Sequence, residues 1–231
     1  MGDTMIAEKN PPTATGLVTV TETSDASRYV VVPSRTYETA KRVIDVFLAV
    51  AAIVVALPLC LLIAILIKLN SQGPVLFRQK RPGKDGEPFE LLKFRTMAKD
   101  AEHRLHEVID VEDTTDPLIR LDDDPRVTGV GHLLRVTSID ELPQLVNVLK
   151  GEMSLVGPRP ISRPIHDPRN DLRLQVTPGM TGLWQVSGRK NGDTDFMLRK
   201  DLEYLRRRSL SFDMLLLLKT VLAVIKADGA R

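Results

Sequence analysis

Two acids stand side by side, Asp140 and Glu141, in the stretch VTSIDELPQLVNVLKG at residues 136–151. Arg135 lies five residues before Asp140, and Arg159 sits between two prolines in GPRP, Gly157–Pro160. Those prolines stiffen the backbone around Arg159, and a guanidinium held in one place suits bidentate phosphate recognition. Two carboxylates beside two arginines are the mixture that a Mg2+–diphosphate site requires. Asp140 and Glu141 would supply hard oxygen ligands for the cation, and Arg135 and Arg159 would hold phosphate oxygens. A plainer reading stands beside this one: acids at a helix start commonly cap it and complement its dipole. Asp140 would then be the N-cap and Glu141 the first helical residue. Pro143 would occupy the first turn, where its missing N–H costs nothing. Leu142, Leu145, Val146 and Leu149 would form one apolar face, and Gly151 would end the helix.

Other residues carry weaker chemical signals. Residues 75–97, VLFRQKRPGKDGEPFELLKFRTM, have apolar runs on either side of PGKDGEP and read as a β-hairpin. Six cations (Arg78, Lys80, Arg81, Lys84, Lys93 and Arg95) face three acids there, a local excess of three. The hairpin is either solvated, or lies against anionic lipid headgroups, or brings some of these cations to a phosphorylated ligand. Arg78, Arg95 and the later Arg126 are candidates for the latter. In VTPGMTGLWQVSGRKN, residues 176–191, the glycines would permit close approach to a ligand, with Thr181, Gln185 and Arg189 as further candidates. A surface loop is the alternative. His103 and His106 have no further His or Cys at ligand spacing, so no metal site is expected there. The single cysteine, Cys60, excludes an intramolecular disulfide and any multi-cysteine zinc site; it lies in an apolar run and reads as a small hydrophobe.

The elements that must position these residues begin with a membrane segment. Val46 to Ile67 is a run of 22 residues without a charge. As a straight helix it would be about 33 Å long, enough to cross a bilayer once. Pro58 near its middle removes a backbone donor and favours a kink. Basic residues flank both ends: Lys41 and Arg42 before, Lys68, Arg78, Lys80 and Arg81 after. A re-entrant helix hairpin broken at Pro58 would keep both flanks on one side, in keeping with the positive-inside tendency; a kinked single span is the alternative. Asp45, one turn after Lys41, could form an ion pair at the interface. Residues 98–109 read as a helix and 110–126 as an acidic loop. Phe196 to Arg208 reads as a charged helix. Met214 to Ile225 is apolar but too short to span, and is either an interfacial or a core helix.

The organisation expected is a disordered tail at residues 1–36, a re-entrant membrane hairpin at 37–72 and a catalytic domain at 73–231. The fold class is α+β and mostly helical: the membrane hairpin, the β-hairpin and a compact cytosolic helical domain with interfacial amphipathic helices. The net charge of +2 says little about partners.

From about Tyr37 to Arg231, 195 of the 231 residues, the chain resembles the bacterial sugar transferases, the monotopic polyprenyl-phosphate phosphoglycosyl transferases. The resemblance rests on an ordered series: KRVIDV, the proline-containing apolar run, GPVLFRQKRPG, LLKFRTM, DPRVTGVGHLLR, TSIDELPQLVNVLKGEMSLVGPRP and TPGMTGLWQVSGR. It implies transfer of a sugar phosphate from a UDP-sugar to undecaprenyl phosphate or a similar polyprenyl phosphate, releasing UMP, at the first membrane step of exopolysaccharide, O-antigen or other glycan assembly. It implies Asp140 as the nucleophile that forms an aspartyl phosphosugar intermediate, with Glu141 helping to bind Mg2+. Arg135 and Arg159 become the phosphate-binding arginines. The same resemblance implies the bacterial inner membrane, with the active site on its cytoplasmic face. No nucleic-acid partner is expected, and a homodimer stays open. Arginines nearby and a helix start are expected to depress the Asp140 pKa. Many relatives have Ser before the proline of the membrane segment where this chain has Leu57. Two rival readings remain: a non-catalytic membrane-anchored scaffold that holds a nucleotide or lipid phosphate, and an enzyme that transfers the sugar alone and releases UDP.

Overall fold

The computed structural model describes residues 18–21, 28–31, 34–98, 101, 124–161, 167–188 and 193–225. Its longest element is helix α1, Arg35–Asn70. Tyr37, Lys41, Asp45 and Ala49 are buried at intervals of four, and Ile63 and Ile67 continue that face near the other end. Between them Val54, Val55, Leu57, Leu61 and Leu62 are exposed, Val55 to 81%. Among the described residues this is the one helix long and apolar enough to cross a membrane, by length and composition. The expected break at Pro58 is not seen as an interruption, because helical conformation continues through it.

The first turns of α1 are fastened by charge. The Arg42 guanidinium donates to the carbonyls of Val148 and Leu149 in the last turn of the helix Gln144–Lys150, where acceptors lack the usual helical partners. Lys41 and Asp45 form the expected ion pair, 3.8 Å apart, and both are buried. Lys41 Nζ donates to Asp213 at 3.0 Å, and the hydroxyls of Tyr37 and Tyr204 donate to the same carboxylate. Asp45 accepts from Ser154 Oγ at 2.7 Å. At the far end, Ile63 and Ile67 pack with Phe94 and Leu134.

The hairpin forms as expected, from β3 (Leu76–Pro82) and β4 (Pro88–Phe94), in register from Leu76 opposite Phe94 to Pro82 opposite Pro88. Asp85 and Gly86 turn the chain with φ of 56° and 80°. This is one of three two-stranded sheets among the described residues. Strands β1 (Val18–Thr21) and β2 (Arg28–Val31) pair antiparallel within the tail expected to lack structure. Strands β5 (Ser154–Val156) and β6 (Gly179–Thr181) pair parallel. The remaining elements are helical: α2 (Gly129–Val136), α3 (Gln144–Lys150), α4 (Pro168–Leu174), α5 (Leu183–Val186), α6 (Thr194–Arg207) and α7 (Leu210–Ile225). The fold is thus mostly helical α+β. The expected helix at 98–109 and nearly all of the acidic loop lie outside the described residues.

The core joins α1, α3, β5, α6 and α7 through Ala49, Val148, Val156, Tyr204 and Leu216. The inner face of α3 differs from the leucine face read from the sequence. Gln144, Leu145, Asn147 and Val148 are buried, and Val146 is 40% exposed. The cause is Asn147, which turns inward to serve β4: its Oδ1 accepts from Leu92 N and its Nδ2 donates to Glu90 O. On α7 one face is core and the other is exposed and apolar. Phe212 and Leu216 enter the core, whereas Leu215, Leu218, Val221 and Leu222 are exposed.

Candidate active site

The acid pair lies on a short 3-10 turn, Ile139–Glu141, between α2 and α3. Asp140 is not the N-cap. Ser138 precedes the turn with φ of 56°, no side chain caps it, and α3 begins only after Pro143. The left-handed Ser138 swings the chain away from α2 and delivers two adjacent carboxylates to one place. Asp140 is buried at 8% exposure, and Glu141 is half-buried beside it.

Three cations surround the pair. Lys93 on β4 donates to Glu141 at 2.9 Å and lies 3.8 Å from Asp140. Arg159 donates to Glu141 at 2.8 Å. Arg135, on the last turn of α2, donates from Nε to the Thr96 hydroxyl at 3.0 Å, and its charge is felt at Asp140. The rigid Arg159 expected from the two prolines has a second support. Arg173 on α4 donates to the Arg159 carbonyl at 2.7 Å and is itself held by the buried Asp201 on α6.

The carboxyls titrate in opposite directions. Burial pushes Asp140 above its ordinary value; Lys93 opposes this, Glu141 reinforces it, and Arg159 and Arg135 oppose it in turn. The depressed Asp140 expected from its arginines is therefore corrected, because loss of water outweighs them. Burial also works to raise Glu141, but the charges and hydrogen bonds of Arg159 and Lys93 win and hold it well below the usual range. The same contact raises Arg159.

Lys93 and Arg81 complete the site, and neither was singled out from the sequence. Arg81 donates to Gln79 and to the Pro160 carbonyl beside Arg159. Burial and the Arg159 charge lower it to about 10, while Glu141 works the other way. An arginine pressed against another arginine is a place where an added anion is stabilising. Alternation along β4 was the available signal for Lys93, but it does not reveal which loop the strand faces.

Arg78 is exposed and 3.5 Å from Glu90. Arg95 is buried and donates to the Ser71 carbonyl and hydroxyl, tethering the end of α1. Arg126 is held by Asp124. Thr181 shares a hydrogen bond of 2.7 Å with Thr220 on α7. Gln185 is buried with neither end of its amide hydrogen bonded. Arg189 lies outside the described residues. Gly179 allows close backbone packing: a Cβ there would stand 2.0 Å from Gly157 N. That contact sets GPRP against β6.

No cluster of three or more His, Cys, Asp or Glu occurs among the described residues. Two adjacent carboxylates nevertheless fit Mg2+, which commonly takes one or two protein carboxylates and completes its shell with water and substrate phosphate. Asp140 and Glu141 are the oxygens that could hold it.

The model of the family described as bacterial sugar transferase matches residues 36–227. The UDP-glucose:undecaprenyl-phosphate glucose-1-phosphate transferase of Caulobacter vibrioides is 44% identical over 201 residues, 82% of this chain and 71% of that protein. The exopolysaccharide production protein ExoY of Sinorhizobium fredii is 39% identical over 197 residues, 82% of this chain and 87% of that one. The undecaprenyl-phosphate galactose phosphotransferase of Salmonella typhimurium is 39% identical over 203 residues, again 82% of this chain but only 41% of the longer relative. With most of its length matched by the family model and by such relatives, the chain belongs to the bacterial sugar transferase family.

Proposed function

We propose that this protein transfers a sugar 1-phosphate from a UDP-sugar to undecaprenyl phosphate or a similar polyprenyl phosphate, with release of UMP. One observation carries the reading: a buried aspartate and an ionised glutamate share one turn inside a ring of cations, in a chain whose relatives are named for that transfer.

In the first step an Asp140 carboxylate oxygen attacks the phosphorus that bears the sugar. The bond from that phosphorus to the UMP oxygen breaks, and UMP departs with the electron pair. The aspartyl phosphosugar left behind divides one hard displacement into two easier ones. In the second step an oxygen of the polyprenyl phosphate attacks the same phosphorus, and Asp140 regains its carboxylate. Lys93 keeps a carboxylate with little water around it ionised. Arg159, Arg135 and Arg81 are placed to meet phosphate oxygens. Mg2+ held at Asp140 and Glu141 would neutralise diphosphate charge and stabilise the departing UMP.

The membrane part of the proposal is a re-entrant α1 that enters and returns on the cytoplasmic side of the inner membrane, bending near Pro58. Asp45 bonds Ser154, while Ile67 packs with Phe94 and Ser71 binds Arg95. Both ends of the apolar run therefore touch the same domain. A straight crossing would place those ends about 30 Å apart, on opposite faces of the hydrocarbon layer.

The test is to incubate purified protein with Mg2+, undecaprenyl phosphate and a panel of UDP-sugars, and to identify the released nucleotide. UMP is expected with at least one sugar. UDP in its place would sink the proposal.

A further inference from the structure

A cavity of about 820 Å³ opens where the corner between α6 and α7 meets the start of α1. It shares no residue with the acid site. Arg206, Arg207 and Arg208 stand in a row on its wall, next to the hydroxyls of Ser209 and Ser211, and no acidic side chain among the described residues lines it. Arg208 is 7% exposed. Glu38 holds its Nη2 and the Tyr37 ring covers it, yet its Nε has no hydrogen-bond partner. Arg207 lies over the Phe212 ring and is shared with Glu203. Arg206 is exposed, and no acid pairs with it among the described residues. The corner thus has more positive charge than its two neighbouring acids offset.

Its depth relative to the apolar helices fixes the ligand. The wall includes Thr36 and Ala40 on α1, and the uncharged run begins at Val46. Six residues of helix span about 9 Å. The headgroup layer on each side of a bilayer is roughly 5–7 Å thick. On α7 the exposed apolar surface begins at Met214 and Leu215, about one turn beyond Leu210. The cavity therefore lies at the polar ends of two helices whose apolar faces are exposed among the described residues.

We propose that this cavity binds the phosphate of an anionic phospholipid headgroup, received by the exposed Arg206 and Arg207, with the buried Arg208 adding its charge from behind. Ser209 and Ser211 add hydrogen bonds, and Tyr37 and Leu215 take the adjoining glycerol and first methylenes. A choline headgroup would bring its own cation against three guanidiniums and is disfavoured. The site rests on the membrane placement of α1 and is independent of the transfer reaction.

The test uses the full chain in a neutral detergent, titrated by thermal shift with dihexanoyl phosphatidylglycerol, dihexanoyl phosphatidylcholine and inorganic phosphate. Phosphatidylglycerol should bind at least tenfold more tightly than the other two. Replacing two headgroup-level arginines in Arg206→Gln/Arg207→Gln should weaken it by roughly tenfold or more. Arg206→Glu, at an exposed and unpaired position, repeats the test without endangering the fold. Equal response to both lipids overturns the proposal, as does unchanged affinity in the variants. Phosphate binding as tightly as phosphatidylglycerol would make this a free-anion site and overturn the lipid assignment. Extraction of wild-type chain from membranes by alkaline carbonate would refute the placement of α1 separately.

Discussion

Asp140 and Glu141 are neighbours in sequence with opposite electrostatic fates, and the difference lies in who touches them. Glu141 has Arg159 and Lys93 within hydrogen-bond distance, whereas Asp140 has Lys93 at 3.8 Å and little water. A nucleophile must be ionised, so turnover should fall as pH drops through the raised Asp140 pKa. Its acid limb should lie above the ordinary carboxylate range of about 4. Lys93→Met removes the cation that most opposes burial, and should move that limb further up while slowing turnover. A pH–rate profile of both proteins checks this, and an unmoved limb would remove Lys93 from the account. Asp140→Asn should reduce turnover by at least roughly a thousandfold, while nucleotide binding and the melting temperature stay near wild type. Turnover at the wild-type rate would rule Asp140 out as nucleophile. For Glu141 the linkage sign is the reverse of that for Asp140. Its pKa is depressed in the folded state, so it contributes stability above its ordinary value of 4.5 that is lost as pH falls through the lower folded value. Glu141→Gln should cost about 1–3 kcal/mol near neutral pH by stranding Arg159. Denaturant melts at decreasing pH should show that difference shrinking; a constant difference would show that the ion pair is not its source.

At the scale of elements, the site is an agreement between a strand and two helices that the chain order separates. Asn147 is the joint: from α3 it accepts Leu92 N–H and donates to Glu90 O, pinning the strand that carries Lys93. Asn147→Ala should leave a buried strand amide and carbonyl unpaired, at about 1–3 kcal/mol for each group left unsatisfied. It should also lower turnover by letting Lys93 drift from the acids. Thermal melting beside turnover tests it, and a fully stable, fully active variant would refute the role. Gly131 does similar work for α2, since a Cβ there would stand 1.9 Å from the Thr96 carbonyl, next to the hydroxyl that holds Arg135. These joints mark what was legible in the sequence. The hairpin was readable because turn chemistry and alternation are local. Helices α6 and α7 were readable from their composition. The acid pair with Arg135 and Arg159 could be picked out because four charged residues cluster within 25 positions of one another. Lys93, Arg81, the inward Asn147 and the Gly157–Gly179 contact were not legible, because each depends on which distant backbone lies opposite. The depressed pKa expected for Asp140 failed for a related reason: a sequence names the charges nearby but not the water that leaves.

For the whole molecule the open question is how one apolar helix of 36 residues serves a domain that holds both of its ends. Lys41 and Arg42 fasten the start to α7 and α3, and Arg95 fastens the stretch after the end. A chain crossing the bilayer once would have to release one of these attachments, leaving the buried Asp213 without its cation or the buried Arg95 without Ser71, which is costly. A bend that returns keeps both, and Pro58 is where the helix lacks a backbone donor. Cysteines introduced at Thr39 and Gln72, both exposed, in a chain with Cys60 replaced by Ala, make this measurable. In intact cells a membrane-impermeant maleimide should reach neither site, and after permeabilisation it should reach both. Labelling of one site alone in intact cells would establish a single crossing. Pro58→Ala restores the donor and removes the ring clash, so it should favour a straighter helix. The expected result is partial exposure of one site together with reduced turnover, since straightening pulls on the attachments that hold both ends of α1 to the domain carrying the acid pair. Turnover and labelling both unchanged in that variant would mean that the docked ends of α1, rather than Pro58, impose the return.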